Sequence, residues 1–258
     1  MNRAGSSDAG QARYRAAPCP RSKLAFRNPM NRLGKPRPLP RSFYARPVLA
    51  VARDVIGKIL VHESAEGMVA GCIVEAEAYR GPQDRAAHSY GGRRTARTEA
   101  MFGEPGHAYV FFVYGMHWHF NVVTTRSGAP HAVLIRAVEP VEGRALMARR
   151  RGVDPDQPVL TNGPGKLCQA FAIDGRHYGL DLVRPPLYLL DGPRGAVARA
   201  PRVGVAYAAE WAHKPWRFFE RDSPYVSVLP RSRAETPTEL ARGKRRQSPE
   251  RSPNRKKG

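Results

Sequence analysis

The segment 68-MVAGCIVEAEAY-79 determines the fold of this chain and raises the first question about its function. Its β-branched and small apolar residues predict a strand. Strict alternation would place on one face Val69, Ile73, Glu75, Glu77 and Tyr79, and on the other Ala70, Cys72, Val74, Ala76 and Ala78. Two carboxylates about 7 Å apart on one strand face are typical of a solvated sheet edge, but they also suit acid–base chemistry.

The segments around this strand predict an α+β fold. KILVHE (58–63) predicts a preceding strand, joined to it by a turn at 66–67. Further patterns predict helices over 48–56, 142–151 and 162–173, and strands over 108–113, 118–125, 131–140, 187–192 and 201–207, with 216–228 closing the core. Most neighbouring strands follow as hairpins, which favours a single domain on a mostly antiparallel sheet with flanking helices. One protruding hairpin is aromatic, with Tyr114 and Gly115 at its turn.

Charge and composition divide the 258 residues into three parts. The net charge is +21, and the termini carry most of the excess of Lys and Arg. We expect residues 1–41 and 231–258 to be disordered basic tails around a domain at 42–230. The three cysteines form no CxxC pair, which favours a reducing compartment. No apolar run is long enough for a membrane span. The cysteine usage and the composition rich in Ala, Arg and Pro favour the cytoplasm of a bacterium, near the nucleoid, whereas the basic run from 243 to 258 would favour the nucleus in a eukaryote.

Two motifs have both a structural and a functional interpretation. The loop GGRRTAR (91–97) carries Arg93, Arg94 and Arg97, which could be a solvated charge run or contact phosphates. GPGK (163–166) lacks the other residues of a nucleotide-binding P-loop, yet Lys166 at a helix start can take a single phosphate.

The HWH motif raises the question of a metal. His117 and His119 would share a strand face, but no third ligand stands at a recognisable spacing. We therefore predict no metal site and no cofactor.

Five segments together resemble the alkyladenine (3-methyladenine) DNA glycosylase family. They are IVEAEAYRGPQDRAAHSYGGRRTARTEAMFGEPGHAYVFFVYGMHWHFNVV, AVLIRAVEPVEG, GPGKLCQAFAI, RVGVAYAAEWAHKPWRF and SPYVSV, in family order. The resemblance implies a monofunctional enzyme of base-excision DNA repair, without lyase chemistry, which acts as a monomer on double-stranded DNA. Such an enzyme flips an alkylated or deaminated purine out of the helix and hydrolyses its N-glycosidic bond, leaving an abasic site.

The resemblance also implies roles for residues at the reacting bond. Glu77 corresponds to the general base that activates the attacking water. Arg136 and the main-chain carbonyl of Val203 correspond to groups that help to hold this water.

The other implied roles concern the base and the DNA. Tyr79 and His88 correspond to walls of the base pocket, and Asn121 to the residue that excludes the 2-amino group of guanine. Tyr114, with Met116 beside it, corresponds to the tip that fills the gap left by the flipped base. Phe111 stands where mammalian members carry a stacking Tyr, so stacking is kept and the hydroxyl is lost.

Two other functions fit parts of the sequence. Glu75 and Glu77 could form the carboxylate pair of a carbohydrate glycosidase, although that chemistry needs groups that flank the bond. The basic tails alone could make the protein a non-catalytic nucleic-acid binder.

Overall fold

The strand from Gly67 to Tyr79 (β2) is central in an antiparallel sheet of the computed structural model, which describes residues 37–228. Eight strands of this part of the chain form the sheet. The other seven are β1 (Ile59–Ser64), β3 (Ala108–Val113), β4 (His117–Thr124), β5 (His131–Glu142), β6 (Leu187–Leu190), β7 (Val197–Ala200) and β8 (Arg217–Glu220). The path is β3-β4-β5-β2-β1-β6, and β8 pairs with both β2 and β7.

Helices flank this sheet and complete the main core. They are α1 (Arg41–Tyr44), α2 (Val48–Asp54), α3 (Arg144–Arg151) and α4 (Pro164–Phe171). Tyr44, Phe171 and Leu167 from the helices are fully buried in one apolar cluster with Phe120 and Ile135 from the sheet. The predicted α+β class, with a mostly antiparallel sheet and flanking helices, is confirmed.

Three register shifts interrupt the pairing of β2 with β5, and the first, between Ala70 and Gly71, leaves Val141 without a partner on β2. The register passes from Ile73↔Val138 to Glu75↔Ala137, which leaves Val74 without a partner on β5. It then passes to Ala76↔Ile135, which leaves Arg136 without a partner on β2. An extra residue in a strand bends it and re-aims the side chains that follow.

The bulge at Val74 changes which way β2 faces. Ile73 lies in the main core with Ala76 and Ala78, whereas Val74 packs in a separate small cluster with Ala137. The alternation that put Ile73 on the same face as Glu75 is therefore wrong, because one extra residue separates two regular halves. The first half packs Val69 and Ile73 into the main core, and the second half directs its carboxylates away from that core.

The β3–β4 hairpin has a two-sided aromatic arrangement. Phe111 pairs with His119 across the strands, and Phe112 pairs with Trp118, with ring centroids 4.7 Å apart. Tyr114 at the turn has a positive φ of 52°, and the following Gly115 has a φ of 67°. This left-handed turn leaves the Tyr114 side chain 88% exposed.

The predicted tails lie almost wholly outside the described residues. Leu39 packs into the main core and Arg41 begins α1, so the described fold starts slightly before residue 42. The domain boundaries at 41 and 231 stay predictions. Within 37–228, none of the helices has the length and apolar character to cross a membrane.

Candidate active site on the sheet face

The register of four strands brings the predicted site residues into one row. Glu77 on β2 pairs with Leu134 on β5, which pairs with Asn121 on β4, which pairs with Tyr109 on β3. Directly opposed residues of antiparallel strands project to the same side of a sheet. Glu77 and Asn121, which are distant in sequence, therefore share one face, together with Tyr109.

Glu77 is fully buried and both of its carboxylate oxygens have partners. Its Oε1 accepts a hydrogen bond from the Val203 amide at 2.7 Å and lies 3.4 Å from Nη1 of Arg136. Its Oε2 accepts a hydrogen bond from the Tyr79 hydroxyl at 2.9 Å. Three separate segments thus fix one carboxylate. The sequence predicted a role for the carbonyl of Val203, whereas the structure shows that its N–H contacts Glu77.

Glu75 is equally buried but belongs to a different network. Its Oε1 accepts hydrogen bonds from Arg136 at 3.1 Å and from Arg217 at 2.9 Å, and its Oε2 accepts one from the Ser227 amide at 2.7 Å. These partners leave Glu75 poorly placed to act as the second carboxylate of a carbohydrate glycosidase. It instead orients Arg136, which lies between the two glutamates.

Arg136 carries its charge in a nearly closed environment, since only 7% of the residue is exposed. Burial disfavours the charged form, but the nearby carboxylates of Glu77 and Glu75 outweigh that effect and raise the pKa of Arg136. The bulge that leaves Arg136 unpaired in β5 lets it project between them. Arg136 therefore stays charged between the two buried glutamates.

A second buried ion pair holds the loops around Glu77. Asp84 accepts hydrogen bonds from Nη1 and Nη2 of Arg202 at 2.5 and 2.9 Å, and both side chains are fully buried. The guanidinium of Arg202 also lies 4.8 Å from the ring of Tyr79 and 5.2 Å from that of Trp216. Because Arg202 precedes Val203, this pair holds the backbone that donates to Glu77.

Aromatic side chains form a wall on the same sheet face as Glu77, at the β3 edge of the row. His88 Nδ1 lies 2.8 Å from the Tyr109 hydroxyl, and its ring centroid lies 4.5 Å from that of Phe111. Tyr109 and Phe111 are 5.2 Å apart in a tilted arrangement. Partial burial, with Arg97 and Arg93 nearby, lowers the pKa of His88 to about 4. The imidazole is therefore neutral at pH 7 and adds no positive charge to this wall.

Asn121 and Tyr79 complete the predicted pocket residues. Asn121 is buried and donates from Nδ2 to the carbonyl of Tyr109 at 3.0 Å, which fixes the orientation of its amide. Burial, followed by the charge of Glu77, raises the pKa of Tyr79 well above its ordinary value. Tyr79 therefore stays protonated and can donate to Glu77.

The predicted DNA-contacting residues lie outside this polar cluster. Met116 is 68% exposed beside Tyr114, and Arg93 is also exposed. Arg94 is instead paired with Glu99 at 2.6 Å, and Arg97 lies over the Phe111 ring at 5.1 Å.

Lys166 lies in the first turn of α4 and donates to Asn162 at 2.9 Å. Among these cations, Arg93 has the side chain least engaged within the described fold.

Sequence reasoning missed several parts of this site. It assigned no role to Asp84 or Arg202, it considered Glu75 only as part of a carbohydrate glycosidase pair, and it considered His119 only as a metal ligand. In the part of the chain that is described, no three His, Cys, Asp or Glu residues are grouped to hold a metal ion. Only the position of Arg202 next to Val203 could have signalled its role from sequence.

Comparison with known proteins identifies the family of the chain. The chain is a glycosylase of base-excision DNA repair, a class of hydrolases that act on N-glycosyl bonds. More narrowly, it belongs to the methylpurine-DNA glycosylase family, whose model matches residues 42–224. The resemblance found in the sequence is therefore confirmed.

Three similar proteins share the name "Putative 3-methyladenine DNA glycosylase". The one from Desulfitobacterium hafniense is 51% identical over 208 residues, which cover 77% of this chain and 100% of that protein. One from Methanocella arvoryzae is 49% identical, covering 73% of this chain and 95% of the relative. One from Bacillus cereus is 46% identical, covering 73% and 98%.

Proposed function

We propose that this protein flips damaged purines out of double-stranded DNA and hydrolyses their N-glycosidic bond with a water activated by Glu77. The observation that carries the proposal is the buried Glu77 carboxylate, fixed by Tyr79, Arg136 and Val203 on the face that also bears the aromatic wall. The product is an abasic site, and the protein acts as a monomer without lyase activity.

The position of Glu77 suits both demands of the reaction. Cleavage of an N-glycosidic bond builds positive charge on the sugar, and a fixed carboxylate stabilises that charge at the moment it forms. The same carboxylate accepts the proton of the attacking water. Arg136, 3.4 Å from the Glu77 carboxylate, and the Val203 carbonyl help to hold the water. Because these groups are bonded before DNA arrives, little reorganisation is needed during the reaction.

The pocket residues suit an electron-poor base. A cationic alkylated purine gains stacking and cation–π attraction from Phe111 and Tyr79. His88 does not repel it, because its low pKa keeps the ring neutral. Asn121, with its amide fixed by Tyr109, is placed to disfavour the 2-amino group of undamaged guanine, which lacks the cation–π attraction available to cationic 7-methylguanine. Selection therefore combines attraction to damaged bases with exclusion of guanine.

The exposed residues supply the DNA contacts. Tyr114 and Met116 at the hairpin turn are long, apolar and exposed, which suits insertion into the stack when a base leaves it. Arg93, Arg94, Arg97 and Lys166 contribute phosphate contacts that position the duplex. Stacking of an aromatic side chain on a base is worth about 1–3 kcal/mol, enough to favour the flipped state substantially.

The decisive variant is Glu77→Gln, which keeps the shape of the side chain and removes its charge. Duplex oligonucleotides carrying 3-methyladenine, 7-methylguanine, hypoxanthine or ethenoadenine are incubated with each protein, and the released base is quantified. We expect the wild-type protein to release a damaged base and Glu77→Gln to bind the same duplex without releasing it. Glu142→Gln, at the exposed end of β5, is the matched control and should behave as wild type.

Two outcomes would contradict the proposal. Near-wild-type release by a folded Glu77→Gln protein would exclude the assigned mechanism. Strand cleavage that precedes any alkaline treatment would show lyase activity and exclude a monofunctional enzyme.

A further inference from the structure

His119 lies on the same sheet face as Asn121, opposite Phe111, and its hydrogen-bonding groups have no partner among residues 37–228. It is the cross-strand partner of Phe111, and the two ring centroids lie 5.5 Å apart. It precedes Asn121 by two positions on β4, so both side chains project to the same sheet face. Within residues 37–228, Glu77, Tyr79, Arg136 and Asn121 all have hydrogen-bond or ion-pair partners, whereas the His119 side chain has none.

The surroundings of His119 keep its ring uncharged. Burial, followed by the charge of Arg136 and the neighbouring rings of His117 and His88, lowers the pKa of His119 to about 4. The ring is half-buried, so it is shielded from water without being closed off. A neutral imidazole has one N–H donor and one nitrogen acceptor. Both are available beside the ring of Phe111, which has neither.

We infer that His119 determines specificity by hydrogen-bonding the edge of a flipped, uncharged purine such as hypoxanthine. The inference rests on the proposed function, because it assigns a substrate contact in that same pocket. Purines carry both donors and acceptors on their edges, and a neutral imidazole can satisfy either type. His119 thereby supplies the polar contact that the phenyl ring of Phe111 cannot make.

The two lesion classes should depend on His119 to different degrees. A cationic purine such as 7-methylguanine gains cation–π attraction and carries a labile glycosidic bond, so it needs few polar contacts. A neutral purine lacks both advantages and relies on hydrogen bonds to be held in the pocket. Loss of a hydrogen bond in a site built around it leaves a polar group unsatisfied, which reduces rates by about tenfold or more.

The test compares two ring-matched variants on two substrates. His119→Phe keeps an aromatic ring against Phe111 and removes both hydrogen-bonding nitrogens. His119→Gln restores a donor and an acceptor without the ring. The control His107→Phe makes the same change just before β3, where the histidine contacts the Glu104 carbonyl. Single-turnover rates of base release are measured at pH 7.5 on duplexes carrying hypoxanthine or 7-methylguanine.

We expect His119→Phe to slow release of hypoxanthine at least tenfold and release of 7-methylguanine less than threefold. His119→Gln should recover part of the hypoxanthine rate, and His107→Phe should match wild type on both substrates. A purely structural role would slow both substrates equally and would not be rescued by Gln. Thermal unfolding by circular dichroism confirms that each variant folds, and His119→Ala replaces His119→Phe if the latter does not.

The outcomes separate this inference from the proposed function. Equal losses on both lesions, unchanged rates in His119→Phe, or a wild-type protein that releases 7-methylguanine but no hypoxanthine would each overturn the role of His119. A folded wild-type protein that releases none of the four lesions, 3-methyladenine, 7-methylguanine, hypoxanthine and ethenoadenine, would instead refute the proposed function itself.

Discussion

Replacing Asp84 with Asn should lower the free energy of unfolding by about 3–5 kcal/mol, because it leaves a buried guanidinium without its counter-charge. The Asp84 carboxylate accepts four hydrogen bonds: from the amides of Arg80 and Ala86, both at 3.0 Å, and two from Arg202. Neither side chain of the ion pair is exposed to water. Asn keeps the shape of the side chain but has a single acceptor oxygen and no charge, so its NH₂ group must face a donor.

The assay is equilibrium unfolding in urea, followed by the fluorescence of Trp211 and Trp216, which lie near Arg202. The exposed pair of Arg94 and Glu99 provides a matched control, because it has the same two-bond geometry in contact with solvent. Glu99→Gln should leave the urea midpoint unchanged, since exposed pairs contribute little. Asp84→Asn and Glu99→Gln both replace a carboxylate with an amide, so they differ mainly in whether the ion pair that they break is buried or exposed.

A double variant tests the physical cause. Combining Asp84→Asn with Arg202→Met removes the buried charge together with its partner, so the double variant should be more stable than Asp84→Asn alone. A loss of less than about 1 kcal/mol in Asp84→Asn would show that water or another group compensates Arg202. A double variant as unstable as the sum of the two single variants would show that the charges are not coupled.

Three further predictions follow from the site and its surroundings. Glu75→Gln should reduce the single-turnover rate of base release about tenfold or more, because loss of one charged contact with Arg136 is worth about 1.5–3 kcal/mol. A gel-shift measurement should show that the DNA affinity of this variant is unchanged. Arg93→Ala should reduce the slope of log affinity against log salt by about 0.9, whereas Arg94→Ala should change it less, because Glu99 already pairs with Arg94. The pKa of His119 is lowered to about 4, so the neutral ring contributes fully to the free energy of unfolding above about pH 6.5, and this contribution is lost as the pH falls toward 4. The free energy of unfolding in urea should therefore fall less steeply with decreasing pH in His119→Phe than in the wild-type protein.

The fold class could be predicted because its determinants are local. Paired strand segments such as 58–63 and 67–79 are joined by a short turn, and their apolar patterns predict a hairpin without long-range information. The proposed role of Glu77 came from motif resemblance, since alternation alone treated Glu75 and Glu77 as equivalent. The structure distinguishes them through partners that lie far away along the chain.

The remaining features depend on contacts that no local pattern encodes. Asp84 and Arg202 are 118 positions apart, and each alone is typical of a solvated loop charge. The bulges at Val74 and Arg136 depend on how two strands register with each other, which a single strand's composition cannot show. His119 was considered only as a metal ligand because its spacing to His117 was visible, whereas its contact with Phe111 was not.

The bulge at Val74 has a consequence for how this strand can vary. Substitutions in the first half of β2 alter packing locally, because the extra residue separates that half from the carboxylate half. Deletion of one residue between Gly71 and Val74 would remove the extra residue of the bulge. Either the apolar half of β2 would then turn away from the main core, or the half that carries Glu75 and Glu77 would turn into it. The length of this segment should therefore be far more constrained than its composition. Random deletion libraries should recover no active proteins there, even where several apolar substitutions are accepted.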